Sequence, residues 1–280
     1  MLELNSLVEE AGHLEPMPAS VTRLAEIVRR EESRLEEIVE LIALDQGLTM
    51  SILRAANSAA SGGSRRITVV RDALLRLGAG AVLSLAIGRR VRKQMSTAMP
   101  AYDLAEGELW RHSVASALAA ELATPFCRVR IPPEAYTAAL LHDVGKLVLV
   151  RFLDDDLLRF LSRARDEGDL QSLQAEIEVL GVHHGELGEL VVQHWDLPEC
   201  ISKPIAYHHS PSEDAGITAD VLHLSDVVAK QIGAGRTSFD GPAQVDEEAV
   251  IRLGITPEGV EKLCRKTAEN FEGVIRRYSA

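Results

Sequence analysis

Apolar residues in this chain recur at intervals of three and four, and no stretch alternates apolar with polar over the length of a strand. A helix turns once in about 3.6 residues, so this spacing collects one apolar face per segment and restricts the fold to packed helices. After Pro16 and Pro18, the residues Val21, Leu24, Ile27 and Val28 share a face. Leu35, Ile38, Val39 and Ile42 form a second, behind Ser33 and Glu36 at capping-box spacing. Leu48, Ile52, Leu53 and Ala56 form a third that ends near Asn57, and the small, polar, Gly-rich segment 58–64 reads as a loop. Val70, Ala73, Leu74 and Leu77 run into Gly78, a helix stop, and 81–91 resumes the register. Aromatics are only 4% while Ala, Leu, Glu and Arg abound, which favours helices packed through aliphatic faces over sheets. The expected class is all-α.

Met99-Pro100 reads as a joint between halves. Beyond it a helix spans 109–123 and stops before Pro125, and Pro132-Pro133 opens an apolar stretch through Ala138, Leu140, Leu141, Val144 and Leu147 to Val150. Further helices are expected over 155–166, 169–180, 184–195, 198–208 and 218–232. Thr256-Pro257 supplies an N-cap and first-turn pair for a last helix reaching about Arg277. The organisation this predicts is an N-terminal helical subdomain (1–98), a second helical subdomain (99–235) and a C-terminal extension (236–280) that either covers the core or mediates dimerisation.

The net charge of −12 opposes the basic face that a nucleic-acid binder needs, so no nucleic-acid partner is expected. Arg89, Arg90, Arg92 and Lys93 form a local basic patch that reads as a solvated helix end. Cys127, Cys200 and Cys264 are odd in number, far apart and outside any CxxC, as for reduced thiols filling core space in a cytoplasmic protein. No apolar run approaches the ~18 residues of a membrane span. Residues 1–10 hold three Glu and no basic residue, unlike a signal peptide.

The chemistry concentrates between 112 and 226. His112, the pair His142-Asp143, His184, the pair His208-His209 and Asp226 all fall on expected helices or helix ends. Imidazole and carboxylate together suit Fe, Mn, Zn or Ni. Neighbours on a helix point about 100° apart, so one ion rarely takes both members of an adjacent pair. A dinuclear site relieves this, with the aspartate bridging two ions while each histidine binds one. Singly, each residue reads better as a hydrogen-bonded core histidine or a helix-end residue than as a ligand, and only the set taken together points to metal. His184-Gly185-Glu186 also fits the H-x-E of zinc deaminases, but the required PCxxC is missing. Gly78-Ala79-Gly80 is better explained by a helix stop and restart than by a dinucleotide fingerprint. His183 and His194 read as surface or supporting residues.

The order His…His-Asp…Asp resembles the HD superfamily of metal-dependent phosphohydrolases. Leu140-Leu141-His142-Asp143-Val144-Gly145-Lys146-Leu147 looks like its central motif, His112 like its first ligand and Asp226 like its last. His184 with Gly188, and His208-His209, resemble the additional ligands of the HD-GYP branch, which hydrolyses cyclic di-GMP. Lys146 matches a lysine that helps bind phosphate there.

A closer resemblance covers nearly the whole chain: the HDOD family, HD-related output domains of bacterial signalling proteins. Pro16-Met17-Pro18, Ile42-Ala43-Leu44-Asp45-Gln46-Gly47-Leu48-Thr49, Leu53-Arg54-Ala55-Ala56-Asn57-Ser58 and Ala73-Leu74-Leu75-Arg76-Leu77-Gly78 look like its first-half signatures. His184-Gly185-Glu186-Leu187-Gly188, Trp195-Asp196-Leu197-Pro198 and His208-His209-Ser210-Pro211 continue it. The resemblance implies a multi-helix HD-type bundle with an N-terminal helical subdomain. It also implies a regulatory, non-catalytic module acting through a signalling protein partner. Within it, His112, His142, Asp143, His184, His208, His209 and Asp226 would hold one or two divalent ions (Fe, Mn or Zn). The alternative it implies is a metal-dependent phosphohydrolase or phosphodiesterase acting on a nucleotide or other phosphoester, with Lys146 in the catalytic site. One departure bears on catalysis. Where the HD-GYP branch has an acidic residue and a Gly-Tyr-Pro loop, this chain has Ser210-Pro211-Ser212-Glu213-Asp214-Ala215-Gly216.

Overall fold

The structure, a computed structural model, describes residues 9–30, 34–58, 66–153, 157–159, 172–235 and 243–279. Among these residues there is no strand, only one isolated antiparallel bridge between Met99 and Leu104. The N-terminal half contributes α1 (Ala19–Arg29), α2 (Leu35–Ala43), α3 (Gln46–Ala56), α4 (Val70–Leu77) and α5 (Ala79–Met95). Next come α6 (Glu108–Ala123), α7 (Ala135–Leu141), α8 (Lys146–Phe152), α9 (Ser172–Leu180), α10 (His184–His194), α11 (Glu199–Ala206) and α12 (Gly216–Gln231). The C-terminal segment adds α13 (Glu247–Leu253) and α14 (Pro257–Ser279).

Local signals account for most of these boundaries. Asp45 caps α3 by accepting the Leu48 amide at 2.9 Å, and Thr256 caps α14 through the Gly259 amide at 3.1 Å, with Pro257 opening the helix. Gly78, at φ 81°, ends α4 and begins α5, so the stop-and-restart reading holds. Asn57 does more than end α3. Its side chain exchanges two 2.7 Å hydrogen bonds with the backbone of Ile67 and so pins the chain where it returns to the core. Ser33 of the expected capping box, most of the expected 58–64 loop and most of the expected 155–166 helix lie outside the described residues. The charged cluster Arg89 to Lys93 closes α5, with Arg89, Arg90 and Lys93 exposed and Arg90 paired to Glu15 at 2.7 Å.

Met99-Pro100 forms a short 3-10 turn whose Met99, Ala101 and Tyr102 are buried. The central pair is α6 against α12, with α7 and α14 packed alongside. Close approach is possible because α6 is rich in small side chains: Ser113, Ala115, Ser116, Ala117, Ala119 and Ala120 are all buried. Helix α5 packs on α1 and α7 and joins the halves, and α10 packs on α8 and α11. The last helix lies on α6 and α12, burying Leu263, Phe271 and Val274, so this part of the extension covers the core.

Candidate metal centre

The apolar stretch from Ala138 to Val150 is split by a turn at residues 142–145, so α7 ends at Leu141 and α8 begins at Lys146. The break is where the chemistry sits. A Cβ at Gly145 would land on the carbonyl oxygen of His184 and close to the amide of Gly188, so only glycine lets this turn touch the start of α10. That contact brings His142 and Asp143 to His184. Helix α6 delivers His112, the C-terminal end of α11 leads into His208-His209, and α12 delivers Asp226. All seven residues expected from the sequence converge, six of them buried and His209 half-buried.

They form two triads around a shared aspartate. His112, His142 and Asp226 make one group, and His184, His208 and His209 the other. Asp143 lies between them. Its Oδ1 is 3.2 Å from His184 Nε2, while its Oδ2 is 3.6 Å from His142 Nε2 and 3.7 Å from His112 Nε2. His208 also falls in a group with His142 and Asp143, which places it at the seam.

The outward nitrogens explain why the inward ones are available. Nδ1 of His112, His142 and His208 lies 2.8, 2.8 and 2.6 Å from the carbonyl oxygens of Ala234, Ala139 and Ile205. A carbonyl only accepts, so each Nδ1 must donate, and Nε2 of the neutral ring keeps its lone pair facing the centre. His184 Nδ1 is held by the buried carboxylate of Glu176, 2.8 Å away.

The inward atoms then crowd without satisfying one another. Nε2 of His112 and His142 are 3.2 Å apart, Nε2 of His184 and His209 are 2.8 Å apart, and Asp226 Oδ1 is 3.0 Å from His112 Nε2. His208 Nε2 and Asp226 Oδ1 are buried with no hydrogen-bond partner. Buried polar atoms are rarely left this way, and facing lone pairs call for a cation between them. Two ligands about 2.0–2.1 Å from one ion and 90–109° apart lie about 2.8–3.4 Å from each other, the spacing seen here. The residues therefore fit divalent metal.

The electrostatics agree. Burial pushes Asp143 towards neutrality, but Lys146, His142 and His184 outweigh it and hold the carboxyl well below the usual range. Asp226 is likewise held well below its ordinary value against burial, by Lys230 and then by His112 and His142. Burial first, then neighbouring imidazoles, drives His208 and His209 well below the ordinary histidine value, which favours neutral rings able to ligate a metal. His184 moves the other way: burial lowers its pKa, and Glu176 more than restores it.

Three supporting residues went unnoticed in the sequence. Lys230 binds Asp226 Oδ2 at 2.8 Å, one helical turn on, as Lys146 binds Asp143 Oδ2 at 2.8 Å. Carboxylate–lysine spacings of three and four were the available signal. Glu176 offered no such signal, because its partner lies across a helix junction. His223 donates from Nδ1 to the His208 carbonyl at 2.8 Å and accepts the Asp246 amide on Nε2 at 2.9 Å, tying the ligand loop to the N-cap of α13. His183-His184-Gly185-Glu186 proves to be a helix start. The His183 side chain accepts the Gly185 amide, and Glu186 accepts the His183 amide in a capping box.

The profile of the HDOD domain family matches residues 14–211. A Geobacter sulfurreducens HDOD domain protein of unknown function superposes with a TM-score of 0.68 at 21% identity, over 99% of this chain and 98% of its own. A Marinobacter aquaeolei VT8 protein, provisionally named for signal transduction, gives a TM-score of 0.75 at 18% identity, over 100% of this chain and 61% of its own. A Shewanella amazonensis SB2B protein, provisionally named a phosphohydrolase, gives 0.68 at 23%, over 98% of this chain and 97% of its own. An uncharacterised Treponema pallidum (strain Nichols) protein is 22% identical over 206 residues, which is 73% of this chain and 39% of that protein. The chain thus spans about two fifths of the Treponema relative and 61% of the Marinobacter one. At these identities the structural likenesses speak for the fold alone. With the profile covering well over half its length, the chain belongs to the HDOD domain family.

Proposed function

We propose that this chain is a regulatory signalling module that carries a dinuclear divalent-metal centre and acts through a protein partner in the cytoplasm. The observation behind the metal is the pair of triads with Asp143 between them, and His208 Nε2 and Asp226 Oδ1 buried and unpartnered. His112, His142 and Asp226 would hold one ion, His184, His208 and His209 the other, and the two oxygens of Asp143 would reach both. The mixed imidazole and carboxylate set suits Fe, Mn or Zn. Exposed apolar side chains on the N-terminal half, Leu44 and Leu75 foremost, suit contact with a partner. No helix among the described residues is long and apolar enough to cross a membrane.

The test is metal content by plasma mass spectrometry on untagged protein purified anaerobically without chelator. It is compared with an Asp143→Ala, His208→Ala variant shown to be folded by circular dichroism. The expectation is one to two equivalents of Fe, Mn or Zn, lost in the variant. Metal far below stoichiometry in both proteins would overturn the reading.

A second reading, metal-dependent phosphoester hydrolysis, is favoured by the two ammonium groups bound to the centre's carboxylates. Bound divalent ions would supply charge stabilisation and lower the pKa of water. Lys146 and Lys230 would meet phosphoryl oxygens at the mouth, and the buried histidine walls would keep bulk water out. Metal-loaded protein that leaves a panel of phosphoesters, cyclic dinucleotides included, untouched would remove this reading. Activity that survives Lys146→Ala would remove the role given to that residue.

A further inference from the structure

Two of the candidate ligands, His208 and His209, stand on an irregular segment, residues 207–212, that follows α11. Metal–ligand distances hold to within about 0.2 Å, and a loop fixes side chains less precisely than a helix, so this segment needs outside support. Two of its backbone carbonyls receive it. The His208 carbonyl accepts Nδ1–H of His223 at 2.8 Å, and the Pro211 carbonyl accepts Nη2–H of Arg252 at 3.1 Å.

Both supports lead to α13. Arg252 belongs to that helix and also grips Asp220 of α12. His223, on α12, accepts on Nε2 the amide of Asp246 at 2.9 Å, and Asp246 is the N-cap of α13. A carbonyl only accepts and a backbone amide only donates, so these two partners specify one tautomer and one orientation of the His223 ring. An amide of α13 thus fixes the ring that fixes the backbone of a ligand. The helix itself rests lightly on the body. It is seven residues long, buries Ala249 and Leu253, and leaves Glu247, Glu248 and Ile251 exposed, Ile251 at 77%. Elements with so few buried apolar contacts open at low cost.

We propose that His223 is a positioning residue for the metal centre and that it couples metal binding to the docking of α13, each strengthening the other. The coupling rests on the metal centre proposed above, although neither His223 nor Asp246 is one of its ligands. When α13 lifts, His223 loses one of its two anchors, and the carbonyl that orients His208 loses its fixed donor. Linkage is reciprocal, so the factor by which metal closes α13 is the factor by which docked α13 tightens metal. The state of the centre is thereby carried to an exposed helix.

Hydrogen–deuterium exchange of the full chain, read by peptide mass spectrometry, tests this. Metal-free protein is reloaded anaerobically with Fe, Mn or Zn in turn, and bound metal is counted by plasma mass spectrometry. Bound metal should slow exchange over residues 246–253 by about fivefold or more, the low end of typical coupling factors. Helix α4, which packs on α2, α3 and α5, should exchange as before at short times. Two substitutions at one position isolate the bond. Asp246 has φ −58°, which proline adopts without strain, so Asp246→Pro removes the amide donor and keeps the backbone path. Both Asp246→Pro and Asp246→Ala lose the side-chain cap on Ala249, but only the alanine variant keeps the amide. Metal protection of α13 should survive Asp246→Ala and vanish in Asp246→Pro, whose metal affinity should fall by about fivefold or more. His223→Phe should behave like Asp246→Pro. His223→Gln, with a donor and an acceptor on one amide, should recover part of the coupling. A purely structural His223 would raise exchange equally with and without metal. Circular dichroism confirms folding, and the Asp246 pair decides alone should His223→Phe fail to fold. Metal bound with unchanged exchange in α13, or protection that persists in Asp246→Pro, overturns the coupling and leaves the metal centre standing. No bound metal in the wild type overturns both.

Discussion

Glu176 stands directly behind His184. Its carboxylate lies 2.8 Å from the ring Nδ1 and also accepts the His184 backbone amide at 2.8 Å, and both residues are buried. One side chain thus sets the position and the tautomer of a ligand and raises the basicity of the nitrogen that faces the centre. Such supporting carboxylates typically contribute about 10–100-fold to metal affinity. Glu176→Gln, which keeps the shape and loses the charge, should weaken metal binding by that range without unfolding the chain. Competition against a fluorescent chelator measures it, and unchanged affinity would show Glu176 to be structural.

Asp143 lies 3.2–3.7 Å from ring nitrogens of both triads, and His209 belongs to only one. Asp143→Asn should therefore reduce the metal content more than His209→Ala, which should spare the ion held by His112, His142 and Asp226. Metal equivalents by mass spectrometry decide this. Equal losses in the two variants would mean that Asp143 does not bridge.

Gly145→Ala should destabilise the fold. The added methyl meets the His184 carbonyl and the Gly188 amide, both backbone groups that cannot step aside. Overpacking of this kind costs about 1–3 kcal/mol, readable as a lower urea midpoint. Because the same contact seats His142 and Asp143, weaker metal binding should accompany the lost stability.

Arg252 on α13 clamps Asp220 on α12 through Nε at 3.0 Å and Nη2 at 2.7 Å, and also donates to the Pro211 carbonyl at 3.1 Å. Asp220 is fully buried. Arg252→Ala would leave that carboxylate without its counter-charge, a loss of about 3–5 kcal/mol by urea unfolding. A change below about 1 kcal/mol would mean that water reaches Asp220 in the variant.

Burial raises the Cys127 thiol to about 11, and burial followed by Glu134 does the same for Cys200. Alkylation requires the thiolate, and below its pKa a thiol is neutral, so both should react slowly at neutral pH. The rate should climb about tenfold per pH unit until it levels near pH 11. Rapid labelling at pH 7 would place these thiols in a more open setting. Unfolding in urea should abolish the difference from free cysteine.

Much of this protein is determined locally. Helical periodicity specifies all-α structure because a single apolar face per segment can be buried only against another helix. Thr256-Pro257, Asp45 and Gly78 place helix ends, since caps and glycine stops act within a few residues. The order of His112, His142-Asp143, His184, His208-His209 and Asp226 was enough to nominate candidate ligands, because their types and spacing suit that chemistry.

What only the tertiary structure decided is how those residues divide and who supports them. The split into two triads with Asp143 between them arises because the turn at 142–145 packs on the start of α10, a contact that no local pattern encodes. Glu176 becomes a partner of His184 across a helix junction, and His223 reaches both the His208 carbonyl and the Asp246 amide, so neither role has a signature along the chain. Side-chain type and helical register are properties of neighbours in sequence, whereas the meeting of distant helices depends on the packing of the whole core.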